Sequence, residues 1–447
     1  MIKIKQHPRI VPALTALIFA IAAAVVSQGA YASAFQLTEN SAQGLGRAQA
    51  GGPAAPGDCS AVVNNPAAMS DFKTDCLAGI VSAINFSAKF YGGGEDAFGQ
   101  PLTGGNGGDG GDTIPVPSAY FIHPVTERLV LGIGLSAPFG FQTEYDDRWV
   151  GRYQGVKTKL QSPALTFAAS LKLSDELSVG MSVFAQRTSA TLVQDIDLGT
   201  VLAQYGVLCG ETNFPAQQCD GQGGLKGHNL SYGAGFGVLW KPTPDDRIGF
   251  NYRSNVDHDI KGQGTFLIPS NLLPYLGGAF VATGGHADIN TPWYASLGWW
   301  HTFNDRFSAG INVAYTNWSS FKGLTIVYDN PVQPTTYQDF SYKDTWFTSI
   351  GADYKLDDRW TLRGGLAYDQ TPTSDATRDP KVPDNSRLWV SIGAGYQFSD
   401  NLRIDAAFVH LFVNDAKVND TSLFESTLTG AFKVTGNVLS VGGQYTF

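Results

Sequence analysis

The final residues of the chain alternate without a break. Asn437, Leu439, Val441, Gly443, Tyr445 and Phe447 are mostly apolar, and Val438, Ser440, Gly442, Gln444 and Thr446 between them are mostly polar. A period of two sends successive side chains to opposite faces of an extended strand. The pattern recurs upstream. Leu177, Val179, Met181 and Val183 oppose Ser178, Gly180 and Ser182; Ile248, Phe250 and Tyr252 oppose Arg247, Asn251 and Arg253; Phe307, Ala309, Ile311, Val313 and Tyr315 oppose Ser308, Gly310, Asn312 and Thr316. Trp360, Leu362, Leu366 and Tyr368 oppose Thr361, Arg363 and Asp369, and Leu388, Val390, Ile392, Ala394, Tyr396 and Phe398 oppose Arg387, Ser391 and Gln397. The chain is all-β. Arginines and aspartates opposite the apolar face suggest a polar lumen with apolar side chains turned outward. A sandwich would show the same period with its apolar face inward.

The start of the chain decides between these. Lys3, Lys5 and Arg9 form a basic region, Ile10 to Val26 is apolar, and Ala30-Tyr31-Ala32 offers a small-x-small cleavage site. Residues 1–32 read as a signal peptide, with a single membrane anchor as the alternative. After Ala32 no stretch approaches the roughly 20 apolar residues of a spanning helix. Low charge (15%) with 18 Tyr, 27 Phe and 9 Trp fits strands that face lipid with aromatics at the interfaces. Net charge is −9 before the signal is removed, so nucleic acid is a poor partner. The many glycines (52) are expected in turns and loops.

Strands are predicted near residues 75–91, 115–124, 127–137, 158–173, 176–196, 226–241, 246–262, 286–302, 305–328, 338–356, 359–370, 385–398, 401–415 and 429–447. Fourteen is an even number, as bacterial single-chain barrels require. Short turns (173–176, 242–246, 304–305, 357–358, 399–400) alternate with long connections, which places the short ones on the periplasmic side. Residues 33–74 do not alternate and are rich in Gly, Ala, Pro and Asn. The domain reading is a signal peptide (1–32), a hatch inside the barrel (33–74) and a transmembrane barrel (75–447). Cys59, Cys76, Cys209 and Cys219 read as two disulfides, with neighbour pairing favoured among three connectivities.

Two long connections are unusually apolar. Residues 197–226 carry Val201, Leu202, Tyr205, Val207, Leu208 and Phe214, with Cys209 and Cys219 able to staple them. Residues 263–285 carry Phe266, Leu267, Ile268, Leu272, Leu273, Tyr275, Leu276, Phe280 and Val281. Apolar loops on this scale either pack together as a lid or form a capture surface for a hydrophobic ligand, and the two are compatible. The stretch Gly104 to Asp109 matches a GGxGxD calcium repeat only once and reads as a flexible loop. No HExxH or GxSxG pattern is present, so no metal, cofactor or catalytic residue is assigned, and the chain does not read as an enzyme. Asp369, Arg363 and Arg387 read as lumen ion pairs.

The ending on Phe447, with Tyr445 on the same face, resembles the terminal strand of outer-membrane barrels, whose assembly machinery reads it. Ordered motifs resemble one family, the outer-membrane long-chain fatty acid transporters (FadL-type), which include aromatic-hydrocarbon channels. They are Ala34-Phe35-Gln36-Leu37, Ser41-x-x-Gly44-Leu45-Gly46-Arg47-Ala48, Asn65-Pro66-Ala67, Ala137-Pro138-Phe139-Gly140, Trp149-Val150-Gly151-Arg152-Tyr153, Tyr252-Arg253-Ser254, Lys343-Asp344-Thr345-Trp346 and the run Leu362 to Asp369. The resemblance implies passive uptake of hydrophobic compounds, most of all long-chain fatty acids, with neutral aromatic hydrocarbons as the alternative. A lipid-acting outer-membrane enzyme and a general porin are the rivals from other classes.

The resemblance also implies roles. Gly44, Leu45, Gly46, Asn65, Pro66 and Ala67 would belong to the hatch. Pro138, Phe139 and Gly140 would form a third-strand kink that opens laterally, as a proline at a bend allows. The two apolar loops (Leu202, Tyr205, Leu208, Phe266, Leu272, Leu273, Leu276, Phe280) would capture ligand. Phe35, Lys343 and Ala137 would line the lumen pocket, Lys343 on the inward parity as headgroup cation. Where the family's best-known member has an arginine, Gln194 aligns here. The implied partners are hydrophobic small molecules, outer-membrane lipid and lipopolysaccharide, and the barrel-assembly machinery through Phe447, for a chain acting as a monomer.

Overall fold

The computed structural model describes residues 34–447 apart from Tyr205, Leu208 and residues 210–215. The expected signal peptide therefore lies outside the described residues, as do Tyr205, Leu208 and Phe214 of the first apolar loop. Nineteen strand segments follow one another: β1 (Cys76–Glu95), β2 (Thr113–Pro124), β3 (Leu129–Glu144), β4 (Lys157–Lys172), β5 (Leu177–Asp197), β6 (Asp220–Trp240), β7 (Asp246–Arg253), β8 (Val256–Leu267), β9 (Thr283–Thr291) and β10 (Tyr294–Thr302). Then come β11 (Phe307–Thr316), β12 (Gly323–Tyr328), β13 (Thr336–Asp339), β14 (Thr345–Lys355), β15 (Trp360–Asp369), β16 (Arg387–Gln397), β17 (Leu402–Val413), β18 (Ala416–Thr421) and β19 (Thr427–Thr446).

Five of these continue their predecessor. β7 and β8 both pair with β6, β7 with β10 and β8 with β9, β9 with β12, and β17 and β18 both with β19. β10 with β11, β11 with β14 and β12 with β13 complete the pattern, leaving fourteen antiparallel spans. The last closes on the first, from Cys76 opposite Thr446 to Glu95 opposite Thr427, and Phe447 N–H donates to Asp75 O. The alternation in the sequence is thus the alternation of a closed wall. Met181 (68% exposed), Tyr232 (72%) and Ile392 (63%) point outward, whereas Ser82, Ser118, Ser170 and Ser440 are buried inside. Each such large apolar side chain left in water forgoes about 1 kcal/mol or more, and a hydrocarbon layer removes that penalty.

The segment before β1 fills the lower lumen. It carries short helices (Ala42–Gly46, Ala61–Asn64) and short 3₁₀ stretches (Gly52–Ala54, Pro66–Asp71). Ser41 caps the first, accepting from Gly44 N–H. Arg47 reaches Asp353 on the wall (3.0 Å), and Asp71 is held by Lys241 and Arg247. Asn65 is the central tie. Its amide donates to Pro53 O (2.7 Å) and Val238 O (3.0 Å), and its Oδ1 accepts from Ala67 N–H (3.1 Å).

The glycine expectation needs correcting. Many glycines sit in strands, where the wall meets this plug. A Cβ on Gly237 would come within 2.1 Å of Asn65 Oδ1, and one on Gly365 within 2.2 Å of Arg47 O. Only a missing side chain lets hatch and wall approach so closely. Cys59 bonds to Cys76 and Cys209 to Cys219. The glycine-rich stretch at 104–109 is a loop whose Asp109 accepts from Ser87 and from the N–H groups of Ala88 and Gly111. Among the described residues no cluster could hold a metal ion. The expected lumen ion pairs form: Arg363 meets Asp405 (2.8 Å) and Asp353 (3.3 Å), and Arg387 meets Asp369 (3.1 Å) and Asp384 (3.0 Å).

Candidate functional site

Two cavities lie on either side of the hatch N-terminus. The upper one begins between the extracellular connections. There Leu202, Cys209 and Leu272 are buried with Ile196 and Leu198, and Phe266, Leu276 and Phe280 pack against them. The two apolar loops therefore cover each other, as water demands of bare apolar surface. Leu273 is turned away and 40% exposed. β5, β6 and β8 run further than the sequence pattern suggested, so the loops are shorter than expected, at residues 198–219 and 268–282. From Phe266 and Phe280 the cavity descends past Leu192, Leu225 and Ile326 to Phe35.

Phe35 is 2% exposed and sits in an aromatic cage: Trp318 at 4.6 Å between ring centroids, Phe321 at 5.3 Å, Phe141 at 5.8 Å and Phe139 at 6.0 Å. The hatch backbone is held here as an added strand. Gly140 N–H donates to Phe35 O and Leu37 N–H to Pro138 O, both at 2.8 Å.

Lys343 is not in the cavity. It is exposed, and its N–H donates to Pro372 O. Between β13 and β14 the strand breaks, and its parity inverts: Phe340 and Tyr342 are buried above the break, Thr345 and Ser349 below it. Extending the parity of β14 upward therefore assigns Lys343 to the wrong face. The buried cation on the cavity wall is Lys381, from the connection 370–386, whose side chain is 8% exposed and 2.9 Å from Asp379. That connection folds into the barrel mouth, where Thr143 donates to Lys381 O and Tyr145 to Pro380 O. No strand periodicity reaches a residue in such a loop. The run Asp379-Pro380-Lys381-Val382-Pro383-Asp384 offers only two rigid prolines as a signal. Lys159 also borders the cavity, but it lies between buried Thr158 and Leu160 and level with exposed Lys226 two strands on, so its ammonium turns outward. Gln194 lines the cavity as well.

Ala137 lines the lower cavity, with Pro138, Ser136, Leu37 and Trp389. The β3–β4 register shifts between Ser136, opposite Ala164, and Phe139, opposite Ser162. One extra residue bulges there. β2 pairs with β3 only from Ala119–Leu135 to Pro124–Val130, so β3 above Leu135 has no β2 partner. Pro115 and Pro117 of β2 border that gap, and neither has an N–H to offer a neighbour. Gly44, Leu45 and Gly46 lie in the first hatch helix, and Pro66 and Ala67 open the 3₁₀ turn that Asn65 caps.

Known proteins share this build, a plugged fourteen-span barrel with a side gap and a greasy mouth. Residues 23–447 match the family described as outer membrane protein transport protein (OMPP1/FadL/TodX). The chain belongs to this family. It is an outer-membrane β-barrel. The long-chain fatty acid transport protein of Escherichia coli O6:H1 (strain CFT073) is 30% identical over 405 residues, covering 88% of this chain and 90% of that protein. Outer membrane protein P1 of Haemophilus influenzae (strain Rd) is 29% identical, covering 88% and 89%. The crystal structure of a Pseudomonas aeruginosa FadL homologue superposes with a TM-score of 0.88 at 33% identity, covering 93% of this chain and 100% of that one. The Pseudomonas putida toluene transporter TodX shares the fold, with a TM-score of 0.63 at 19% identity, covering 87% and 94%.

Proposed function

We propose that this barrel passively takes up hydrophobic single-chain molecules, long-chain fatty acids above all. One observation carries the reading: a continuous apolar cavity runs from Phe266 at the end of β8 and the loop residue Phe280 to Phe35, with a buried lysine on its wall. Apolar walls with few polar groups suit a long alkyl chain, and an ammonium suits its carboxylate. Leu202, Leu272 and Leu276 would open to admit the chain. Phe35 would then swing with the hatch, passing the ligand to the lower cavity and out through the gap at Ala137 and Pro138. Lateral exit spares the alkyl chain an aqueous passage. The relatives named as fatty acid transporters support the acid.

A second reading is a neutral hydrocarbon. Lys381 already faces Asp379, so the wall presents a neutralised pair. Binding of the purified protein to a long-chain acid, its alkane counterpart and toluene separates the two. The acid is expected to bind tightest. Lys381→Met, made together with Asp379→Asn so that no buried charge is stranded, should weaken the acid alone by about tenfold or more. Equal weakening of all three ligands would sink the headgroup role.

A further inference from the structure

Arg253, of the Tyr252-Arg253-Ser254 motif, has no task in this scheme. It ends β7, points inward, and is 7% exposed against the lower cavity. Its guanidinium carbon lies 3.4 Å from the centroid of the Phe184 ring, and one nitrogen donates to Gln186 Oε1 at 3.1 Å. Its Nε has no acceptor, and among the described residues no carboxylate lies within 4.0 Å of it. Arg47, Arg363 and Arg387 inside the same barrel each meet an aspartate. Asp369 also borders the cavity, but it is engaged by Arg387. The indole Nε1 of Trp389, on the same cavity, likewise has no acceptor. A buried cation without a counter-charge is expensive, and two idle donors in one chamber call for an acceptor.

We propose that the lower cavity is a second ligand site, in which Arg253 receives the carboxylate of a single-chain acid that has passed Phe35. This rests on the fatty-acid reading above. The chamber is amphipathic: Leu37, Val63, Ala314 and Phe347 give it an apolar side, Asn251, Asn312, Thr316 and Thr345 a polar one, and Ala137 and Pro138 stand where the wall lacks its β2–β3 ladder. With the headgroup on Arg253, the alkyl chain leads toward that gap and leaves for the bilayer tail first, the headgroup being released last.

The test is the binding stoichiometry of oleate and of oleyl alcohol on the purified full barrel in a neutral detergent. Wild type should bind two oleates, Arg253→Gln one, with at least a tenfold loss of affinity at the missing site and unchanged alcohol binding; Arg253→Lys should restore the second oleate. Heat-modifiable electrophoretic mobility reports folding. If Arg253→Gln does not fold, Ala314→Phe, which fills the same chamber, asks the same question. Identical oleate stoichiometry and affinity in wild type and the folded variant would overturn the second site and leave the uptake reading standing. Parallel loss of acid and alcohol in Arg253→Gln would make the arginine structural and overturn it too. A wild type that binds no oleate at all would remove the fatty-acid reading itself.

Discussion

Glu39 lies in the extended hatch segment between Phe35 and the first helix, 1% exposed. One carboxylate oxygen accepts from Thr38 N–H at 2.8 Å and the other has no partner. Burial pushes its pKa from 4.5 up to about 7; the hydrogen bond and Arg387 oppose the shift and Asp369 adds to it. The docked segment therefore holds its proton where a released one has lost it. Docking is fully favoured below about pH 4.5 and weakens as pH rises to about 7, by roughly 3 kcal/mol, with little change beyond. Hydrogen exchange of the 34–40 amides, corrected for intrinsic rates, should show stronger protection at pH 5 than at pH 8. Glu39→Gln should abolish the difference; a variant that keeps it would show the carboxyl is not responsible. Residue identities of this kind were only partly legible in the sequence. Asn65 and Phe35 stand out by motif. Lys381 and Glu39 do not, because burial in a loop or a plug leaves no periodicity.

Strands were the most legible level, since lipid outside and polar groups inside force alternation on every span. What the pattern hid were the interruptions: Ser254 and Asn255 within the seventh span, Pro292 and Trp293 within the eighth, residues 317–322 within the ninth, and residues 340–344 within the tenth. The last of these misplaced Lys343, because parity carries no information across a break. The bulge in β3 hid itself in the opposite way. Ser136 and Phe139 are both buried although three residues apart, so the extra residue is absorbed without turning either outward. Deleting Ala137 should restore plain alternation against Ser162 to Ala164, letting β2 extend its ladder and closing the gap. Folded protein should still reach the outer membrane, whereas uptake of labelled fatty acid should fall at least tenfold. Undiminished uptake would dismiss the lateral route.

As a whole the molecule is a closed cylinder with a filling. Hatch and wall meet at discrete ties, such as Arg47–Asp353, Asn65–Val238, the backbone bonds of Phe35 and Leu37 to β3 and the Cys59–Cys76 disulfide, while the spans pair with one another in ladders. Deleting residues 34–75, with Cys76→Ser to avoid a stray thiol, should leave a folded barrel that conducts ions in a planar bilayer, where the intact protein conducts little. Loss of the barrel would show instead that the plug is part of its core. The seams between spans are unequal. The junction of chain ends, β1 with β19, holds twenty paired positions, and two strands away β2 and β3 share six. Under lateral tension a cylinder zips apart along its shortest row of stitches. That row is not where the polypeptide begins and ends but where three prolines and a bulge sit. Membrane stretch would thus tear the wall first at the place through which cargo is proposed to leave, while the strong join keeps the ring whole.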